Sequence, residues 1–223
     1  MRKLLRKCFL FFYKFYALWV ISSESKYSRK NISVTIPKGV FHPGLFFSTN
    51  FLIEELERMS LTGKSFLELG CGSGLISIVA AQNGAITTAV DVNDKAVRVT
   101  LVNARNNKAD VEVIQSDLFS GLAKRQFDII AINPPYYKKN PANYSDAAWY
   151  AGENFEYFQK LFSQVEQHTH ANSFVLMVVS EDVYWNDLVR LAASYQIAFS
   201  LVREKVICFE KNFIYRLSCD SCL

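Results

Sequence analysis

From residue 65 onward, short apolar runs alternate with helical patterns, and this alternation restricts the folds open to the chain more than any other feature. Residues 65–69, 87–91, 111–115 and 127–132 read as strands. Residues 75–82 and 94–106 between them read as helices, the first stopped by Asn83-Gly84 and the second opened by Asp94. Past a loop rich in Pro, Asn and Tyr, residues 153–168 read as a helix, 174–179 as a strand and 185–194 as a helix. Residues 197–202 and 213–217 then close the series as sixth and seventh strands, and residues 50–59 upstream read as a further helix. Strands joined through helices need right-handed crossovers, which implies a Rossmann-like, seven-stranded, mostly parallel α/β sheet with helices on both faces. In such sheets ligands bind beyond the carboxyl ends of the strands, at the point where strand order reverses.

A length of 223 residues with 50% hydrophobic content fits one domain and a short extension. Charge divides the chain unevenly. Residues 1–30 carry eight Lys or Arg against a single acid, Glu24, a net +7, which leaves the rest at −3. A polyanion is therefore drawn to the basic aromatic arm, residues 1–30, and not to the body, residues 31–223. Residues 22–31 read as a polar linker between the two. The arm's apolar run is split by Lys14, falls short of a membrane span and has no cleavage site after it, which argues against a transmembrane helix or signal peptide. Its aromatic density fits a helix packed on the domain, with a peripheral membrane contact through residues 1–21 as the alternative. Five scattered cysteines indicate a reducing, cytoplasmic setting. Cys219 and Cys222 form a lone C-x-x-C with no second pair, so no metal site is expected.

Four segments fall at the ends of the first four strands after residue 60. The first is Glu68-Leu69-Gly70-Cys71-Gly72-Ser73-Gly74, where glycines permit a sharp turn and close approach of a ligand, and the following helix offers unpaired N–H groups. Its G-x-G-x-G spacing differs from the dinucleotide pattern and favours a cofactor without pyrophosphate. Asp91 ends the second strand, where a carboxylate can accept from both ribose hydroxyls; Asp117 follows the third and can accept from an adenine amino group. The fourth segment is Asn133-Pro134-Pro135-Tyr136. Its prolines hold Asn133 extended, so that the Asn133 side-chain carbonyl and the Pro134 main-chain carbonyl can accept from a planar NH2, with Tyr136 covering the face of the acceptor.

These residues resemble class I S-adenosylmethionine-dependent methyltransferases of the small-domain type with an N-P-P-Y motif, and most of all the HemK-type glutamine methyltransferases that modify peptide-chain release factors. The matching stretches are E-L-G-C-G-S-G at 68–74, A-V-D-V-N at 89–93, S-D-L-F at 116–119, N-P-P-Y at 133–136 and A-W-Y-A-G-E-N at 148–154. Residues 39–43, with Ser48-Thr49, resemble the mouth of the cofactor site in this family and in related ribosomal RNA guanine methyltransferases. The resemblance implies S-adenosyl-L-methionine as cofactor. It places Gly70, Gly72 and Gly74 at the methionine part with Glu68 supporting the turn, Asp91 and Val92 at the ribose, Asp117 and Leu118 at the adenine, and Asn133, Pro134 and Tyr136 at the acceptor nitrogen. The acceptor it implies is a glutamine amide in a protein; the alternative is an adenine or guanine in RNA or DNA. Some relatives without an N-terminal helical domain work with a small partner protein, which makes a heterodimer one implied arrangement. None of His42, His168 and His170 is placed to act as a base. A non-enzymatic scaffold is the competing reading, and the intact N-P-P-Y with both acids argues against it.

Overall fold

A computed structural model of the chain describes residues 20, 22–45, 47–143, 146–207 and 210–219. A hairpin of β1 (Ser25–Arg29) and β2 (Ile32–Ile36) leads into helix α1 (Phe47–Leu56). Then follow β3 (Ser65–Leu69), α2 (Leu75–Gln82), β4 (Ile86–Asp91), α3 (Asp94–Asn106), β5 (Val111–Gln115) and β6 (Ile129–Ile132). A long connection separates β6 from α4 (Glu156–Val165), β7 (Phe174–Ser180), α5 (Trp185–Ser194) and the hairpin β8 (Ile197–Ile207) and β9 (Glu210–Cys219).

Seven of these strands form one sheet in the order β5-β4-β3-β6-β7-β9-β8. The first five in that order run parallel, and β9 lies antiparallel between β7 and β8. Only two residues separate β8 from β9 in sequence, too few for a crossover, so that pair must be antiparallel. Side chains alternate across the sheet. Phe66, Leu176 and Val178 enter a core shared with α1, α2 and α3, whereas Leu67, Leu69, Val175, Met177 and Val179 enter a second core shared with α4 and α5. The expected doubly covered sheet is thus observed, and strand order reverses between β3 and β6.

Several boundaries differ from the sequence reading. Residues 22–31, read as a linker, contain β1 and the turn of a hairpin, so the arm–body division at residue 30 cuts through a folded unit. Asn107 accepts from Ser33 N (3.0 Å) and donates to Ser33 O (2.8 Å), and Asn103 does the same with Thr35 N and O, both at 2.9 Å. Two amides on successive turns of α3 therefore mimic a neighbouring strand for β2. Arg29 and Lys30 reach Glu57 beyond α1 at 2.7 and 2.8 Å. Strand β6 begins at Ile129 and not at 127, because Phe127 N donates to His168 O and the Asp128 carboxylate accepts from Ser65 N and Oγ. Helix α4 begins at Glu156 because Phe155 sits in the left-handed region at φ 61°. The readings made on residues 1–19 and on Cys222 lie outside the described residues. Among the described residues no helix is long and apolar enough to cross a membrane.

Candidate active site

The reversal between β3 and β6 brings two of the sequence-marked segments together. Leu69 pairs with Ile132 in the sheet, so the glycine turn after β3 and Asn133 after β6 leave the same edge side by side. Gly70 N and Cys71 N both donate to Val90 O at 2.9 Å, which ties the turn to β4. From behind, Thr100 Oγ donates to Gly72 O (3.1 Å) and Asn103 to Ser73 O (2.9 Å). Gly74 has φ 79°, and a Cβ there would lie 2.7 Å from Thr100 Cγ2, so only glycine fits. Glu68, buried at the end of β3, accepts from the Ser77 N–H at 2.8 Å and from the Ser77 hydroxyl. It thereby braces the first turn of α2. Burial pushes its carboxyl up to about 8 against those two hydrogen bonds.

Asp91 at the end of β4 accepts from Gly72 N and Asn93 N, both at 2.9 Å. Burial raises its pKa, offset in part by the N–H groups of Asn93, Gly72 and Val92. Asn93 caps α3 and donates to Gly39 O (3.2 Å), which draws residues 38–43 over the turn. Past β5, Asp117 pairs with Lys160 of α4, and Leu118 adopts φ 52°. Tyr157, one turn before Lys160, has its pKa raised by burial and then by the charges of Asp91 and Asp117.

Asn133 donates its amide nitrogen to Thr49 Oγ of α1 at 3.3 Å. That contact uses one of the two side-chain N–H bonds and leaves the carbonyl oxygen available to a ligand. Pro134 is buried. Tyr136 is half-buried, packs against the second core and hydrogen-bonds Ser180; burial raises its pKa first, then Tyr137. It does not stand on the wall of the main cavity, where a residue covering an acceptor there would be. The segment after it folds back: Tyr137 N donates to Trp149 O (3.1 Å), Ala151 N to Tyr137 O (2.9 Å), and the Trp149 ring meets Phe41 at 5.3 Å.

Between these parts lies a cavity of about 770 Å³. Gly70, Gly72, Asp91, Val92, Asp117, Leu118 and Asn133, seven of the sequence-marked residues, all stand on its wall. Glu68 lines a small neighbouring pocket of about 20 Å³, which Asn133 and Phe41 border as well, together with Thr49. The residues fit a nucleoside-bearing cofactor: the volume suits such a ligand, and a Cβ built at Gly70 meets nothing within 4 Å. The turn therefore presents bare backbone to the cavity. Among the described residues no three His, Cys, Asp or Glu side chains gather as metal ligands. Lys160, Tyr157, Thr100 and Asn103 escaped the sequence reading. Thr100 and Asn103 left a local signal as polar residues on the buried stripe of α3 that carries Ala96 and Val99.

The model of the methyltransferase small domain family matches residues 31–151. A putative protein N5-glutamine methyltransferase of Methanocaldococcus jannaschii is 37% identical over 97 residues, 43% of this chain and 49% of that protein. The chain thus spans about half the length of that relative. Among solved structures, a T. thermophilus 16S rRNA N2 methyltransferase in complex with AdoMet and guanosine superposes with a TM-score of 0.65 at 18% identity, over 86% of this chain and 50% of that one. The E. cuniculi Mtq2–Trm112 complex, responsible for methylation of the eRF1 translation termination factor, gives 0.63 at 17% identity over 82% and 99%. At those identities the two structures speak for the fold.

Proposed function

The chain belongs to the methyltransferase small domain family, and from that premise we propose that it is an S-adenosylmethionine-dependent N-methyltransferase acting on a glutamine side-chain amide in a protein. The observation that carries this reading is the Asn133–Thr49 contact, which engages the Asn133 NH2 group and leaves the carbonyl oxygen to accept from a planar NH2. When bound, the cofactor supplies an electrophilic methyl group on a sulfonium. Gly70 and Gly72 would hold its methionine part, with Gly74 closing the turn behind them against Thr100. Asp91 with Val92 would hold the ribose, and Asp117 with Leu118 the adenine. Asn133 Oδ1 and the Pro134 carbonyl accept from the two N–H bonds of the substrate amide and fix its plane. An amide nitrogen is a poor nucleophile because its lone pair is delocalised, so orientation is the main contribution these residues can make. Positioning of this kind supplies roughly 7–11 kcal/mol in model systems. Tyr136, packed against the second core, braces the Asn-Pro-Pro corner.

Similarity to the M. jannaschii protein named for N5-glutamine methylation supports a protein acceptor. So does the net −3 of the body outside the basic arm. A second reading, N-methylation of adenine or guanine in RNA or DNA, uses the same residues and draws support from the +7 of residues 1–30. Methyl label from S-adenosylmethionine should enter a cell extract treated with RNase and not one treated with protease; the reverse result transfers the reading to nucleic acid. A small activating protein partner belongs to the same proposal, in keeping with the two-protein complex among the similar structures; co-purification of such a protein with this chain is the result that would support it. The role of Asn133 has its own test. Asn133→Ala should leave S-adenosylhomocysteine affinity within about twofold, because it removes an acceptor-side contact, and should cut transfer by a hundredfold or more, on the order of the loss of one transition-state-positioning group. Loss of cofactor binding instead would show that Asn133 serves the cofactor.

A further inference from the structure

Lys160 stands where no motif put a functional residue. Its ammonium pairs with Asp117 Oδ2 across 43 residues of chain, and both side chains line the cavity beside Tyr157 and Leu118. The two partners are unequally supported. Lys160 rises from a helix whose opposite face buries Phe158, Leu161, Phe162 and Val165. Asp117 lies beyond the end of β5 with a side chain 58% exposed, next to a residue at φ 52°. An exposed carboxylate on such a turn samples several rotamers unless something fixes it. An ion pair this open to solvent does little for the stability of the fold. Its consequence is geometric: with one oxygen held from α4, the other is presented to whatever occupies the cavity.

We propose that Lys160 is a positioning residue for nucleobase recognition, holding Asp117 Oδ2 so that the second carboxylate oxygen accepts a hydrogen bond from the exocyclic amino group of a 6-aminopurine. This rests on the S-adenosylmethionine reading above. It adds that selection for the amino group depends on a side chain from the far face of the sheet.

The test is calorimetric and needs no turnover. S-adenosylhomocysteine and its 6-deamino analogue, with purine in place of adenine, are titrated into the full chain as wild type, Lys160→Met and Lys160→Arg, with thermal unfolding of each. Wild type should prefer the amino compound by on the order of tenfold, the effect of one hydrogen bond to a charged acceptor. Lys160→Met should bind the amino compound roughly three- to tenfold more weakly and the analogue nearly as wild type, since only the bond that Asp117 makes is disturbed. Lys160→Arg, which restores the donor, should recover the preference, and all three should melt alike. Equal weakening of both ligands by Lys160→Met, tighter binding of the amino compound, or no preference in the wild type overturns the proposal while leaving the cofactor reading intact. Failure of the wild type to bind S-adenosylhomocysteine overturns both.

Discussion

Glu68 is a buried carboxyl, 4% exposed, held at the start of α2 by the N–H and the hydroxyl of Ser77. Its pKa of about 8 against an ordinary 4.5 has a definite consequence for stability. Below pH 4.5 the group is neutral in both folded and unfolded chains and contributes no pH dependence. Between about 4.5 and 8 the folded protein keeps the proton and the unfolded chain loses it, so stability falls as pH rises through that window and levels above it. Glu68→Gln keeps the shape and should flatten this slope; urea denaturation at pH 5 and pH 8 measures it, and an unchanged slope would mean that other groups cause it. The neighbouring Cys71 thiol is pushed up by burial and by the charges of Asp91 and Glu68, so it stays a thiol. Glu68, Asp91 and the glycines were legible because each stands at or just past the end of an apolar strand and carries a local chemical signature. Asn133 was legible for the same reason, whereas its partner Thr49 was marked only as part of a mouth, because 84 residues separate the two.

Helix α3 is the element on which the site's backing depends. Its buried Asn103 bonds Ser73 O of the glycine turn and both main-chain groups of Thr35, while Asn107 bonds Ser33 at the exposed edge. Removing a buried amide leaves its main-chain partners without bonds, at about 1–3 kcal/mol. Asn103→Ala should therefore destabilise by about 2–3 kcal/mol and Asn107→Ala by less than about 1 kcal/mol, because water replaces the lost partner only at the exposed site. Chemical denaturation of the two variants checks the order. A reversed order would mean that the hairpin is held chiefly through its tip. Nothing in residues 22–31 announced that hairpin: β1 is a run of Ser, Lys, Tyr and Arg without a continuous apolar face. Its pairing depends on β2, and the docking of β2 depends on α3, some 70 residues on.

At the scale of the molecule, among the described residues the sheet collects three helices on one face and two on the other, with the cavity where strand order reverses. The hairpin extends the first core through Ile32, Val34 and Ile36. Removal of residues 1–30 deletes β1 and the Arg29–Glu57 and Lys30–Glu57 pairs. A chain lacking residues 1–30 should unfold at lower denaturant than one lacking residues 1–19. Those pairs hold the Glu57 carboxyl down to about 2, chiefly through Arg29. Their contribution is present above the ordinary 4.5 and fades as pH falls towards 2, so the gap between the two truncated chains should narrow in acid. Equal midpoints at neutral pH would show that β1 adds nothing to the core.

Strand–helix alternation, the glycine turn and the acids after β4 and β5 were fixed by residues close in the chain, since periodicity, turn chemistry and strand ends are local properties. They were enough to define the fold class and one wall of the cavity. The opposite wall depended on the three-dimensional packing. Lys160 reached Asp117, Thr49 oriented Asn133, Phe41 met Trp149, and Tyr136 turned into the core only once the sheet had closed. Each of those contacts joins segments that share no pattern in the sequence, and each is decided by which helix covers which face.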